Sequence, residues 1–71
     1  MRKAQQSRKA AIELAIEAAG GPAKLADAIG RKRPAISRAR RLKLIPIEWV
    51  LRIEEKYGIS RTIQRPDVYP D

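Results

Sequence analysis

Seven cations and no acid lie between residues 31 and 43, a stretch that we call the basic segment. Its cations are Arg31, Lys32, Arg33, Arg38, Arg40, Arg41 and Lys43. The whole chain of 71 residues has a net charge of +8, so nearly all of the excess charge sits in this segment. A charge so concentrated attracts a polyanion. Arginine and lysine bind phosphate oxygens, and the arginine fork also matches the edge of guanine.

Few residues of the chain are suited to chemistry other than binding. The chain has no cysteine and no histidine. Disulfides, zinc sites of the usual Cys/His type, thiol nucleophiles and imidazole bases are therefore excluded. We expect no enzyme and no cofactor. A chain of this length has a marginal core, because it buries only about 60–65% of its unfolded surface, so a partner or self-association would help it to fold.

Readings of the basic segment other than nucleic-acid binding stay open at this point. It could be a solvated face, or it could meet an acidic protein or a membrane surface. A cationic membrane peptide needs one long amphipathic helix, which Pro34 and Pro46 would interrupt. Glu13 and Glu17 break the apolar stretch 10–19, so we expect neither a signal peptide nor a spanning helix. We therefore expect a cytoplasmic protein.

Glycine and proline divide the chain into four helical segments. Apolar residues at helical spacing predict a first helix over 8–19, ended by Gly20 and Gly21. Pro22 suits the first turn of a second helix, which Gly30 ends. Pro34 falls in the first turn of a third helix over about 33–41, and Pro46 opens a fourth over about 46–57.

A short fifth turn is predicted from Ser60, a suitable N-cap, to about Gln64. Alternating strand patterns are absent, so the predicted fold is all-α, a compact bundle of four to five short helices in a single domain over 1–71. The basic N-terminus, 1–7, is expected to be frayed. The tail 65–71 holds two prolines and is expected to be extended, either loose or strapped to the body or to a second subunit by Val68 and Tyr69.

The fourth helix shows a broad apolar arc opposite a charged side. The predicted arc consists of Ile47, Trp49, Val50, Leu51, Ile53 and Tyr57. The charged side consists of Glu48, Arg52, Glu55 and Lys56. We predict that the two aromatic side chains pack in the core or in a dimer contact. Because the basic segment itself has no aromatic residue on which a base could stack, duplex DNA is favoured over RNA or single strands.

Two short helices joined by a tight turn, the second strongly basic, form the arrangement that reads DNA. Ala26 supplies the small residue that a steep helix crossing needs, and Gly30 supplies a residue that tolerates a positive φ in the turn. Ile36 supplies the apolar anchor that faces the first helix. Leu25 and Ile29 complete this predicted helix-turn-helix core.

This spacing is similar to the helix-turn-helix signature of phage repressors. The run LADAIGRKRPAISRARRLKLIP, followed by EEKYGISR and the tail RPDVYP, resembles the Cro/YdaS-like family of prophage regulators over about residues 20–70. The resemblance implies a lambda-repressor-like DNA-binding domain in a bacterial cytoplasm. It also implies a double-stranded DNA operator and a homodimer that reads two half-sites.

The chain departs from the family pattern where the third helix begins and ends. Arg31 and Lys32 stand where the family has an apolar residue and a cap, Ala39 where it often has tryptophan, and Lys43 where it often has glycine. Cations at an uncapped helix start are unfavourable, and a phosphate would reverse this. We predict that this helix start, residues 32–36, is incomplete without DNA and tightens on binding, against the alternative of a merely solvated basic start.

Helical spacing and the resemblance together divide the candidate residues into two groups. The predicted base-contacting residues are Lys32, Arg33, Pro34, Ser37 and Arg38. The predicted phosphate-contacting residues are Lys24, Arg31, Arg40, Arg41 and Lys43. A second basic cluster, Arg2, Lys3, Arg8 and Lys9, either lies on the DNA or is a solvated terminus.

The expected function is that of a Cro-like repressor that occupies an operator. The alternative is an antitoxin-like module whose main ligand is an acidic, toxin-like partner protein. The two are compatible in one chain. The sequence predicts the dimer surface only as the fourth helix and the tail.

Overall fold

The computed structural model describes residues 9–70, and in this range the chain forms five helices and no strand. The helices are α1 (Ala11–Ala19), α2 (Pro22–Ile29), α3 (Arg33–Leu42), α4 (Ile47–Tyr57) and α5 (Arg61–Gln64). The predicted all-α fold of short helices is therefore confirmed. No helix in the described range is long and apolar enough to cross a membrane.

Helix α1 begins later than the sequence predicts. We expected it from residue 8, but Ala10 is extended and serves as the N-cap (φ −61°, ψ 143°). Lys9 precedes it, and positive charge is unfavourable at the positive end of the helix dipole. Its ammonium group instead pairs with Glu17, near the negative end of α1. The predicted frayed segment 1–7 lies outside the described residues.

Two glycines make the sharp turn between α1 and α2. Gly20 is left-handed (φ 94°), and the amides of both glycines donate to the carbonyl oxygen of Ile16. Gly21 has φ 137° and ψ 162°, a region that essentially only glycine occupies. Pro22 follows at the first helical position, where its missing N–H costs nothing. The turn folds α2 back onto α1.

One cluster of buried side chains joins α1, α2, α3 and α4. It consists of Ile12, Ala15, Ile16, Leu25, Ala26, Ile29, Ile36, Ala39, Ile45, Trp49, Val50 and Ile53. The apolar faces predicted by helical spacing are confirmed, with Ala19 only partly buried: Ile12, Ala15, Ile16 and Ala19 on α1, and Leu25, Ala26 and Ile29 on α2. Trp49 lies in this core, as predicted, and Tyr57 is half-buried against it.

The apolar arc predicted for α4 is too broad. Ile47 and Leu51 lie one turn apart on its outer side, and about half of each is exposed to solvent (48% and 50%). Helix α4 packs against α1, α2 and α5, and these three cover only the side with Val50 and Ile53. No helix in the described range covers the outer side of α4. The spacing of apolar residues in the sequence does not indicate this.

The C-terminal residues form a turn, where an extended tail was expected. The amides of Val68 and Tyr69 both donate to the carbonyl oxygen of Arg65, at 3.0 and 2.8 Å. The Arg65 guanidinium binds Asp67 through two hydrogen bonds and donates to the Ile45 carbonyl oxygen at 2.9 Å. The hydrogen bond from Arg65 holds the pKa of Asp67 below its usual value. Arg65 thus fastens the tail to the chain between α3 and α4.

Helix α5 is held to α4 by polar contacts. The Ser60 hydroxyl accepts from the Ile63 amide at 3.1 Å, which confirms the predicted cap. Gln64 is buried, and its amide nitrogen donates to the carbonyl oxygens of Val50 and Ile59. Two hydrogen bonds from Arg61 lower the pKa of Glu54. The larger effect comes from the Arg61 side chain and the smaller one from the Arg61 backbone amide.

Candidate nucleic-acid interface

Helix α3 displays the basic segment on a face that points away from the core. Ile36 and Ala39 are buried, at 0% and 3% exposure, and Ala35 is half-buried. The other residues of α3 are exposed. Because Ile36 and Ala39 are three positions apart, they lie on one side of the helix and orient the opposite side towards solvent. The core contacts therefore decide which side chains a ligand meets.

A turn of three residues, Gly30–Lys32, joins α2 to α3. Gly30 is left-handed (φ 70°, ψ 35°) and closes α2. The Arg31 amide donates to the Ala26 carbonyl oxygen at 2.9 Å, which completes this helix end. Leu25, Ala26 and Ile29 are buried between the helices. The turn is short enough to hold α3 firmly across α2.

All five residues predicted to contact bases are exposed. They are Lys32, Arg33, Pro34, Ser37 and Arg38. Pro34 and Arg38 line an open groove of about 700 Å³ together with Arg31 and Arg41. Leu42, Leu44, Pro46 and Trp49 add apolar side chains to the lining of this groove, and Glu48 adds one acid. The structure thus brings two predicted base contacts and two predicted phosphate contacts to one groove.

Among the predicted phosphate contacts, Arg40 is already engaged within the chain. Its guanidinium donates to both carboxylate oxygens of Glu13, from Nε at 3.0 Å and from Nη2 at 3.3 Å. Within residues 9–70, Arg40 is the only cation of the basic segment in an ion pair. The other six cations of the basic segment form no ion pair with any residue in this range, so their charge is available to a ligand.

Lys24 lies apart from the basic segment, near the first turn of α2. It is exposed, and its side chain passes close to Gly20. Lys43 is exposed just beyond the end of α3. Of the second basic cluster, Arg2, Lys3 and Arg8 lie outside the described residues.

The start of α3 has no side-chain cap from the described residues. Lys32 is the N-cap (φ −92°, ψ 160°), and its backbone oxygen accepts from the Ala35 amide at 3.0 Å. Pro34 falls in the first turn, as predicted, and contributes no N–H. The helix is formed from Arg33 onward. The positive end of its dipole lies beside three cations, Arg31, Lys32 and Arg33, and no side chain of the described residues accepts from its free amides. That residues 32–36 tighten on DNA stays a prediction.

Replacing Lys32 with serine is expected to raise the free energy of unfolding by about 0.5–2 kcal/mol, because serine accepts from the free amides and removes an unfavourable charge. Urea denaturation measures the change. Lys56→Ser removes the same charge from the last turn of α4, where a cation is favourable, and should not stabilise. Equal stability of the Lys32→Ser variant and the parent would contradict the prediction.

Lys43 is the one residue other than glycine with a positive φ among those described (φ 55°, ψ 44°). This left-handed residue ends α3, and its amide donates to the Arg40 carbonyl oxygen at 3.1 Å. A side chain with a Cβ is strained in this conformation.

Lys43→Gly is expected to stabilise the protein by about 1 kcal/mol, because glycine adopts this conformation without strain. For a domain of this size the melting temperature should rise by about 4–8 °C. Lys43→Ala is the matched control, since it loses the same charge but keeps the Cβ. A similar gain in stability in both variants would show that the loss of the charge is the cause, which would contradict the prediction.

Three features of this surface were missed by sequence reasoning. The Arg40–Glu13 pair joins residues 27 positions apart, and no local signal indicates it. The groove depends on the chain between α3 and α4 folding back towards α3. The exposure of Leu42 and Leu44 beside the cations, at 61% and 46%, also depends on this path.

No group of three or more acidic, cysteine or histidine side chains that could hold a metal ion occurs within 9–70.

Comparison of the chain with protein-family models, curated proteins and solved structures gives no match in any of the three.

Proposed function

We propose that this protein binds double-stranded DNA in a sequence-specific manner and regulates transcription, with α2 and α3 acting as a helix-turn-helix of the lambda-repressor-like kind. The observation that carries the proposal is the exposed face of α3. It bears Arg33, Arg38 and Arg41, while Ile36 and Ala39 fix the opposite face in the core.

The dimensions of α3 suit the major groove of DNA. A helix with its side chains is about 10–12 Å in diameter, and the major groove is about 12 Å wide, so the groove admits one helix. The turn at Gly30 holds α3 at a fixed angle to α2. In this arrangement the first turn of α3 approaches the base edges and the surrounding cations approach the phosphates.

In the proposed complex Arg33 and Arg38 read guanine through bidentate hydrogen bonds. Lys32 and Ser37 make adaptable contacts, and Pro34 contacts a thymine methyl group. Phosphates are bound by Lys24, Arg31, Arg41 and Lys43. Arg40 exchanges Glu13 for a phosphate, or it stays paired and holds α3 to α1.

The regulator is proposed to act as a Cro-like repressor, which blocks transcription by occupying its operator as a pair of copies. Two-fold related copies read two half-sites about one helical turn apart. Phosphate contacts from the unpaired cations supply affinity, and the face of α3 supplies the choice of sequence.

A second candidate function is capture of an acidic partner protein, as in an antitoxin. The groove beside α3 favours it, because cations and apolar side chains line the same open space of about 700 Å³. An acidic peptide with apolar side chains would match both the cations and the apolar part of the lining, provided that its acids lie away from Glu48. DNA would match only the cations.

Selection from a random duplex library, at about 50 and 200 mM salt, tests the proposed function. Binding that depends on phosphates alone weakens by orders of magnitude across this range. We expect an enriched palindrome that survives the higher salt and defines the half-site spacing. Binding that vanishes with no enriched sequence would overturn DNA reading and leave the acidic partner as the primary ligand.

A further inference from the structure

Charged and apolar side chains line the same groove beside α3. Its cations are Arg31, Arg38 and Arg41, and its one acid is Glu48, so three positive charges and one negative charge give the lining a net charge of +2. Two of its apolar side chains, Leu42 and Leu44, are 61% and 46% exposed to solvent. Exposed leucines in a concave site are typical of a surface that binds a partner.

The groove is formed by firmly held parts of the fold. Ala39 and Trp49 belong to its lining although they are only 3% and 4% exposed, so the groove reaches the edge of the core. Leu44 and Pro46 also line it, and Ile45 between them is buried. The Ile45 carbonyl oxygen accepts from Arg65 at 2.9 Å. These contacts shape the groove before a ligand binds, which lowers the cost of binding.

DNA matches only part of this lining. A duplex offers phosphates to the arginines, but the thymine methyl is the main apolar group that its major groove presents. Leu42 and Leu44 gain little from such a ligand. A protein segment that carries both carboxylates and apolar side chains matches the cations and the leucines together, with its carboxylates held by the arginines and away from Glu48.

The lining of the groove overlaps with the proposed DNA contacts. Pro34 and Arg38 are proposed base contacts, and Arg31 and Arg41 are proposed phosphate contacts. A segment in the groove covers these four residues, and its carboxylates compete with phosphates for the same arginines. DNA and such a segment therefore exclude each other.

We propose that an acidic segment of a partner protein, with apolar side chains beside its carboxylates, docks in this groove and releases the protein from its operator. This inference rests on the proposed function and deepens it, because it names how the DNA-binding face is regulated. The acidic partner and DNA are then two ligands of one chain, and they compete for shared arginines.

Selection of random peptides displayed on phage, against the whole protein, tests docking without DNA. We expect enriched peptides in which aspartate or glutamate stands close to leucine, isoleucine or phenylalanine. A synthetic peptide of the enriched sequence, free of tryptophan, should change the fluorescence of Trp49, the single tryptophan, because Trp49 lines the groove. Enriched peptides that are acidic but not apolar, or no enriched peptide, would overturn the inference.

Leu44→Ser and Leu51→Ser form a matched pair of variants. Both leucines are about half exposed (46% and 50%), but only Leu44 lines the groove. Leu44→Ser is expected to weaken binding of the synthetic peptide by about five- to tenfold, because apolar burial is lost, and Leu51→Ser should change it by less than about twofold. Both variants should bind the selected operator as the parent does, which also shows that they are folded. Equal peptide affinities of the two variants would contradict docking in the groove.

Competition between the synthetic peptide and the selected operator duplex completes the test. We expect the peptide to displace the duplex from the parent, and Leu44→Ser to require about five- to tenfold more peptide for the same displacement. A complex that holds both ligands at once overturns the inference and leaves the proposed function intact. Absence of any specific operator overturns the proposed function, and release from an operator falls with it.

Discussion

Ile36→Ala is expected to lower the free energy of unfolding by about 2–5 kcal/mol. Ile36 is fully buried (0% exposed), and it anchors α3 in the core. Removing three carbons from such a site loses the burial energy and leaves a cavity. For a domain of 71 residues the total stability is about 4–10 kcal/mol, so the loss is a large share of it.

The single tryptophan reports this change directly. Trp49 is buried in the same core (4% exposed), so its fluorescence follows urea denaturation. Ile36→Val should cost about 0.5–1.5 kcal/mol, since it removes one methylene. Ile63→Ala, at a position 58% exposed, should change stability by less than about 0.5 kcal/mol. Equal losses of unfolding free energy in Ile36→Ala and Ile63→Ala would show that Ile36 does not anchor α3 in the core.

Arg38→Gln is expected to weaken binding to the selected operator by about 1–3 kcal/mol, or about 5–150-fold, and to relax the preference for one base pair. Arg38 is exposed on the outer face of α3 and has no acidic partner within residues 9–70. In the proposed complex its loss removes a bidentate contact with a base, and it leaves the core undisturbed because the side chain is exposed. Competition binding against single-base variants of the operator measures both effects.

Two controls separate base reading from general electrostatics. Lys56→Gln removes one charge from α4, outside the basic segment, and should weaken binding by less than twofold. Arg41→Gln, at a proposed phosphate contact, should weaken binding to all sequences alike and reduce the salt slope by about one ion. If Arg38→Gln behaves as Arg41→Gln does, Arg38 binds phosphate and does not read a base.

Much of the fold could be predicted because its signals are local. Gly20, Gly30 and Gly58 end helices through left-handed backbone, and Ser60 caps α5. The three-to-four-residue spacing of apolar side chains marks the inner faces of α1 and α2. These signals act within one or two turns of helix, so the sequence contains them completely.

The errors arose where distant parts of the chain meet. The arc on α4 was predicted to include Ile47 and Leu51, because spacing shows which residues share a face but not whether another element covers it. The tail was predicted to be extended from its prolines. Instead, Arg65 bonds to Asp67 and to the carbonyl oxygen of Ile45, twenty positions away, and these contacts outweigh the local preference.

The sequence by itself determined that the fold is built of four to five short helices, which residues form the apolar faces of α1 and α2, and that the charge is concentrated in the basic segment. Composition and short-range spacing contain that information. The tertiary structure alone decided that Arg40 pairs with Glu13, that cations and leucines share a groove, and that Ile47 and Leu51 stay exposed on α4. Each of these depends on how the helices pack, and packing balances contacts over the whole core that no local pattern encodes.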